Sequence, residues 1–191
     1  MMKKLVCLLI VLAVVSFASA ASVKFDAAGA VAGQVSAAQG AEVVVSIIAD
    51  FDVANLVVTI GADGGTAKEL GVLHPAFKTM PNNGILRNSG HILIERISGS
   101  QGVQYGDGPV PAGESLYTFT FVAPTTEGLY TIDFITGPTP FPPPPVPYTC
   151  TIDGVGGAIS LSSIESLIVV VPEPMTIALL GLGGLFIRRR K

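Results

Sequence analysis

The chain of 191 residues has no tryptophan, two cysteines and two histidines. Without tryptophan, the commonest flat platform for stacking a sugar ring is missing. His74 and His91 lie seventeen residues apart, and neither has a second His or a Cys at zinc-ligand spacing, so no metal centre of that kind is expected. Cys7 falls in an N-terminal apolar run, which leaves Cys150 alone in the body, where no intramolecular disulfide can form. In Tyr148-Thr149-Cys150-Thr151-Ile152 the cysteine alternates with threonines, which reads as a buried structural thiol and not a reactive one. Cations are scarce too. Between Ala21 and Val171 there are five, Lys24, Lys68, Lys78, Arg87 and Arg96, against thirteen acids, a formal charge of −8. So acidic a body cannot neutralise many phosphates, which excludes nucleic acid as a partner class.

Catalytic motifs are equally absent. Gly113-Glu114-Ser115-Leu116-Tyr117 lacks the second glycine of a nucleophile elbow, and no phosphate-cradling loop or dinucleotide fingerprint occurs. Gly181-Leu182-Gly183-Gly184 lies in an apolar tail, where small residues suit helix packing. Asp50, Asp52, Asp63, Asp107 and Asp153 sit in or beside turns, where Asp is common; a calcium site from two such loops is the one cation reading they allow. No catalytic residue, metal ligand or cofactor is assigned.

Both ends carry clear information. Met1-Met2-Lys3-Lys4 is a basic start, Leu5 to Phe17 is apolar, and Ala18-Ser19-Ala20 has the small-x-small pattern of a signal cleavage site. Residues 1–20 therefore read as a signal peptide, with cleavage between Ala20 and Ala21. At the other end, Val171-Pro172-Glu173-Pro174 precedes an uncharged run from Met175 to Ile187, closed by Arg188-Arg189-Arg190-Lys191. The prolines stop any incoming helix or strand, and the four cations resist translocation and favour the cytoplasmic side. Thirteen residues at 1.5 Å each span about 20 Å, short of the roughly 30 Å hydrocarbon core. A buried helix ending the domain is the alternative, but such a helix rarely stops in four cations, since one or two already satisfy its dipole.

This order of proline-flanked glutamate, apolar run and terminal basic block resembles the PEP-CTERM sorting signal of exported bacterial proteins. The resemblance covers about a tenth of the chain. It implies an exosortase-type membrane peptidase as partner, with Pro172, Glu173 and Pro174 as the sorting signal. Residues 175–187 would be a short transmembrane helix, and Arg188, Arg189, Arg190 and Lys191 the cytoplasmic stop-transfer block. Export, an inner-membrane intermediate and then the cell surface or extracellular space would follow.

The body from residue 21 to 170 reads as one β domain of ordinary size. Glu42 to Ile48 is β-branched and apolar on both faces, as in a central strand; Val53 to Ile60 follows after the turn at 49–52. His91 to Ile97 is a further strand, with His91 at an edge or in the core. Ser115 to Val122 alternates, with Tyr117, Phe119 and Phe121 inward and Thr118 and Thr120 outward; Leu129 to Ile135 turns Tyr130, Ile132 and Phe134 inward. Pro124 to Gly128 is expected to join those two strands as a hairpin loop. Shorter strands are expected at Ser22 to Phe25, Tyr148 to Asp153, Ala158 to Leu161 and Glu165 to Val171. Residues 61–90 and 98–113 hold successive turn signals, with a short strand or helical turn at Leu70 to Leu73. Residues 137–147 are proline-rich, and Pro142 to Pro145 are expected to form polyproline II, a rigid surface crossing between sheets, with a ligand for a proline-reading partner as the alternative. Eight or nine short strands without an amphipathic helix specify a β-sandwich.

The succession of a strand near Gly33 to Gln39, then Ala41 to Ala49, then Val53 to Ile60, is similar to the opening of cohesin-type domains. Gly113 to Phe121 and Gly128 to Ile132 resemble that family's late pair of strands. The resemblance implies a single jelly-roll sandwich used for protein–protein docking, and no binding residue is carried across. The leading expectation is a non-enzymatic partner-binding or extracellular-matrix component with a protein or polysaccharide partner. A glycan-binding module stacking sugars on Tyr105, Tyr117, Tyr130 or Tyr148 is the alternative, and a hydrolase without a recognisable motif the third.

Overall fold

The computed structural model describes residues 21–101, 108–138, 147–148, 150–155, 157–158 and 163–173. Their strands, in chain order, begin with Ser22–Ala27 (β1), Gln34–Ser36 (β2), Glu42–Ala49 (β3) and Val53–Ala62 (β4). Short pieces follow at Thr66–Ala67 (β5), Val72–Leu73 (β6), Thr79–Asn82 (β7) and Ile85–Ser89 (β8), then Ile92–Ser100 (β9). Ser115–Val122 (β10) and Gly128–Phe134 (β11) precede Gly137–Pro138 (β12), Pro147–Tyr148 (β13) and Thr151–Gly154 (β14). Gly157–Ala158 (β15), Ser163–Glu165 (β16) and Leu167–Val171 (β17) complete them. No helix occurs among the described residues.

The strands form two stacked sheets. The first runs β16-β1-β3-β10-β5, with β6 also on β10, and its β16 lies parallel to β1. The second runs β15-β14-β4-β11-β17-β2, closing with a parallel β17/β2 pair. β9 lies along the other side of β4, and β7 and β8 follow one another along the outer edge of β9. β12 and β13 make a separate ribbon.

Period-two burial drives the stacking. On β3, Val43, Val45 and Ile47 are buried; on β10, Tyr117, Phe119 and Phe121 are, with Thr118 and Thr120 between them on the outer face. Leu56, Val58 and Ile60 of β4 and Ile94 and Ile97 of β9 meet them from the second sheet. The Phe25 and Phe134 rings join the two layers with centroids 4.5 Å apart. Each such side chain contributes about 1.5–3 kcal/mol by leaving water, so the 34 apolar residues buried among the described ones give the domain an ample core.

The sandwich and most long strands agree with the sequence reading, and three local expectations are corrected. Pro124 to Gly128 is not a hairpin loop, because β10 pairs with β3, β5 and β6 while β11 pairs with β4 and β17. The loop crosses from one sheet to the other; alternation reveals which face of a strand is buried but not its partner. β3 is central in its sheet yet open on one face, with Val44 at 56% exposure. His91 is neither edge nor core: it is exposed in the turn before β9, its Nδ1 3.7 Å from Asp63 Oδ1. Residues 61–90 also hold more strand than their turn signals suggest, namely β5 to β8.

The two ends of the sandwich are distinct. Val171 pairs with Gly128, Ala37 N–H donates to Val170 C=O, Gly40 N–H to Pro124 C=O and Ala123 N–H to Ala41 C=O. Segments 37–41 and 123–128 therefore surround the point where β17 leaves the fold. At the opposite end, Gly113 N–H bonds Ala49 C=O and Ala112 N–H bonds Asp52 Oδ1.

Candidate functional site

Of the large apolar side chains exposed among the described residues, Met80 of β7 is the most exposed, and it shares the β4-β9-β7/β8 side of the second sheet with Val57 of β4 and Ile85 and Leu86 of β8. Met80, at 86% exposure, has φ +49° and stands where the pairing of β7 with β9 slips between Thr79 and Asn82. Holding a non-glycine residue there costs about 1–3 kcal/mol, and the slip turns the thioether outward. Gly84 then separates β7 from β8: its φ is +95°, and a Cβ on it would lie 2.7 Å from Ile94 Cγ2. This glycine lets the edge strand break and still lie flat against β9.

A groove of about 500 Å³ runs across this face, lined by Asn55, Val57, Thr79, Met80, Ser98, Ser100 and Asp153. The Ser100 hydroxyl donates to Asn55 Oδ1 at 2.5 Å, fixing the floor. Nearer the tail end of the same sheet, Glu95 is buried and takes Arg87 Nε on Oε2 at 2.5 Å and Arg96 Nε on Oε1 at 3.2 Å. Arg96 has φ +57° and its N–H bonds Thr59 Oγ1, so the irregular β4/β9 pairing places Glu95 and Arg96 together. A buried carboxylate needs its partners; here they are two half-exposed arginines, the only arginines of the body. Methionine and arginine, both exposed on this face, are among the residues enriched at protein interfaces.

The other sheet's outer face is smaller-featured. Thr118 Oγ1 lies 3.0 Å from Ser46 Oγ and 2.7 Å from Ser115 Oγ, so the hydroxyls there satisfy one another. A recess of about 340 Å³ beside Lys24, Asp26 and Ile48 has its Asp50 carboxylate taken by the Ser22 N–H and hydroxyl.

Two of the four tyrosine platforms of the glycan reading are corrected. Tyr117 is fully buried, its hydroxyl accepting from Gly71 N–H at 2.8 Å and donating to Asn83 C=O at 2.9 Å. Tyr148 is buried, with a hydroxyl that has no partner among the described residues. Tyr130 is half-buried, pressed against Gly64 and Gly128 and bonded to Thr126, and Tyr105 lies outside the described residues. Of the turn aspartates, Asp52 caps Ala112 N–H, Asp63 lies beside His91, Asp153 lines the groove and Asp107 lies outside the described residues. Among the described residues no group of three His, Cys, Asp or Glu side chains is placed to hold a metal ion. Cys150 is half-buried against the core, and burial pushes its thiol up to about 11.

Of the terminal residues, the structure places Ala21 just before β1 and Pro172 and Glu173 just after β17, with Glu173 exposed. Ala18, Ala20, Pro174, the run 175–187 and Arg188 to Lys191 lie outside the described residues. Among the described residues no helix is long and apolar enough to cross a membrane. The sequence reading did not single out this face. Its exposed edge strand carries no alternation, and only the adjacent Glu95-Arg96 inside an apolar strand marks it.

No family model and no curated protein sequence matches the chain. Solved structures do. The fold is cohesin-like. The seventh ScaB type I cohesin of Pseudobacteroides cellulosolvens superposes with a TM-score of 0.55 at 16% identity, over 80% of this chain and 92% of that one. The third ScaB cohesin of R. flavefaciens, solved in complex with a group 1 dockerin, gives 0.52 at 17% identity, covering 81% and 96%. A type I cohesin–dockerin complex from Clostridium thermocellum gives 0.52 at 10% identity, covering 79% and 99%.

Proposed function

We propose that the chain is an exported, non-enzymatic protein-docking domain, sorted to the cell surface or extracellular matrix through its C-terminal tail. The observation that carries the docking reading is the β4-β9-β7/β8 face. It combines an open groove, exposed Val57, Met80, Ile85 and Leu86, and the arginines held on Glu95. Two of the structures that share this fold were solved with dockerin partners, which supports a protein as the partner. The acidic body and the buried tyrosines weigh against nucleic acid and against ring-stacked glycans.

The sorting reading rests on the sequence of the two ends: residues 1–20 as the signal peptide, Pro172-Glu173-Pro174 as the processing signal, 175–187 as the membrane span and the basic block inside. An exosortase-type peptidase would act near the tripeptide. Support comes from Pro172 and Glu173, which follow the last paired residue directly and lie outside the sheet ladder.

The docking face is tested by capturing surface proteins of the source cells on immobilised body, residues 21–171, and on its Val57→Glu/Met80→Glu variant. Both positions are exposed, so the variant keeps the β-type circular dichroism of the parent. Loss of the captured protein on the variant supports the face; equal capture by both places docking elsewhere.

A further inference from the structure

We infer that, while the chain is held by its tail, the end of the sandwich formed by 37–41 and 123–128 rests against lipid headgroups, and the docking groove points away from the membrane. The inference rests on the reading of 175–187 as a membrane-directed segment, and it deepens that reading by assigning the membrane-facing surface.

The length of the tether carries it. Val171 is buried and paired with Gly128, so the fold holds the chain up to that residue. Only Pro172, Glu173 and Pro174 separate it from Met175, where the apolar run begins. Three residues span at most about 10 Å even when fully extended, and two prolines keep them from coiling into slack. The headgroup layer on one side of a bilayer is itself roughly 5–7 Å thick. A run that starts at the hydrocarbon edge therefore brings the end of β17 to the headgroups, together with the two segments bonded around it.

Those two segments suit the position. Residues 37–41 read Ala-Ala-Gln-Gly-Ala and 123–128 read Ala-Pro-Thr-Thr-Glu-Gly, so Glu127 is their only charge although the body carries thirteen acids. Glu42, next along the chain, is neutralised by Lys68 at 2.8 Å. Exposed Leu129, at 69%, adds an apolar side chain beside the exit. The other carboxylates at this end are Glu173 in the tether and Asp63, which lies 3.7 Å from His91 and adjoins Gly64, packed on Tyr130 and Pro124. The remaining acids lie further along the sandwich, where salt screens them from anionic lipid.

The groove lies at the other end. Ile132 is level with both Leu167 and Ala62, and Asn55 is seven residues further along β4. With the four residues from Leu167 to Val171 added, Asn55 stands about 35 Å from the exit at roughly 3.3 Å per residue. The partner site is thus open before any processing.

The test uses the chain from Ala21 to Lys191 with its cysteine replaced (Cys150→Ala), reconstituted in phosphatidylethanolamine–phosphatidylglycerol vesicles. A fluorophore is placed at Thr125→Cys in one sample and at Ala112→Cys in another, and quenching is read with a headgroup-nitroxide lipid. The expected result is several-fold stronger quenching at 125 than at 112. Equal quenching, or stronger quenching at 112, overturns the orientation. A chain that fails to float with the vesicles overturns the membrane reading and the orientation with it.

Discussion

The side-chain amide of Asn88 holds both backbone polar groups of Ala67: Ala67 N–H donates to Asn88 Oδ1 at 2.7 Å, and Asn88 Nδ2 donates to Ala67 C=O at 2.8 Å. Asn88 thus acts as one residue of a missing strand, tying the edge strand β5 of the first sheet to the edge strand β8 of the second. Asn suits the place twice, since it also adopts φ +46° more readily than other side-chain-bearing residues. Asn88→Gly relieves that backbone strain and removes the two hydrogen bonds, leaving buried Ala67 groups unsatisfied at about 1–3 kcal/mol each. Asn88→Ala adds left-handed strain to the same loss. Urea midpoints are expected to fall in the order parent, Gly, Ala.

Tyr117 closes the same side of the fold, joining Gly71 and Asn83 through its hydroxyl. Burial pushes its phenol from the ordinary 10 up to about 12, although the Gly71 N–H bond pulls the other way. A group with a raised folded value contributes stability that is fully present below the unfolded value and is lost as pH rises towards the folded one. The parent domain is therefore expected to lose stability between pH 10 and 12 more steeply than Tyr117→Phe does. Below pH 9 the variant is expected to be less stable by about 1–3 kcal/mol, from the two lost bonds. Chemical denaturation across that pH range checks both limbs.

Glu95 is the only carboxylate buried within the second sheet among the described residues. Removing it leaves Arg87 and Arg96 without the charge that organises them. Glu95→Ala is expected to cost about 1–3 kcal/mol, since both arginines lose a charged acceptor but remain half-exposed to water, with Glu95→Gln milder because its single amide oxygen still accepts from one of the two guanidinium groups. A stability change under about 1 kcal/mol for Glu95→Ala would show that the cluster is a solvated surface pair.

Cys150 is expected to behave as a small apolar filler. With its thiol pushed from the ordinary 9 up to about 11 by burial, alkylation by iodoacetamide at pH 8 should be far slower in the folded domain than in urea. The rate should climb only as pH approaches 11. Cys150→Ala is expected to cost about 1–2 kcal/mol and to leave partner capture unchanged. Loss of capture at unchanged stability would assign the thiol a role in binding.

Much of the sandwich was legible because its long strands obey a strict period of two. Tyr117, Phe119 and Phe121 could face only a core, and Val43, Val45 and Ile47 likewise. What alternation does not encode is pairing, so the 124–128 loop was read as a hairpin although its strands belong to different sheets. The edge segment β7/β8 was hidden for another reason: every residue in it is exposed, which leaves no pattern, and Gly84 and Asn88 look like plain turn residues. Tyr117, Tyr130 and Tyr148, all candidates for stacking in the sequence, are distinguished only by burial, which the sequence does not carry. The exposed groove face was invisible because it depends on a register slip at Met80 and a bulge at Arg96.

The central claim is that this cohesin-like domain is exported and then freed from its tail, and intact mass measurement of the mature protein from the cell surface tests it most directly. The expected mass corresponds to a chain that begins at Ala21 and ends within or beside Pro172-Glu173-Pro174, with β17 complete through Val171. A mass that still includes residues 1–20 contradicts export by signal cleavage, and one that still includes 175–191 contradicts processing at the tripeptide.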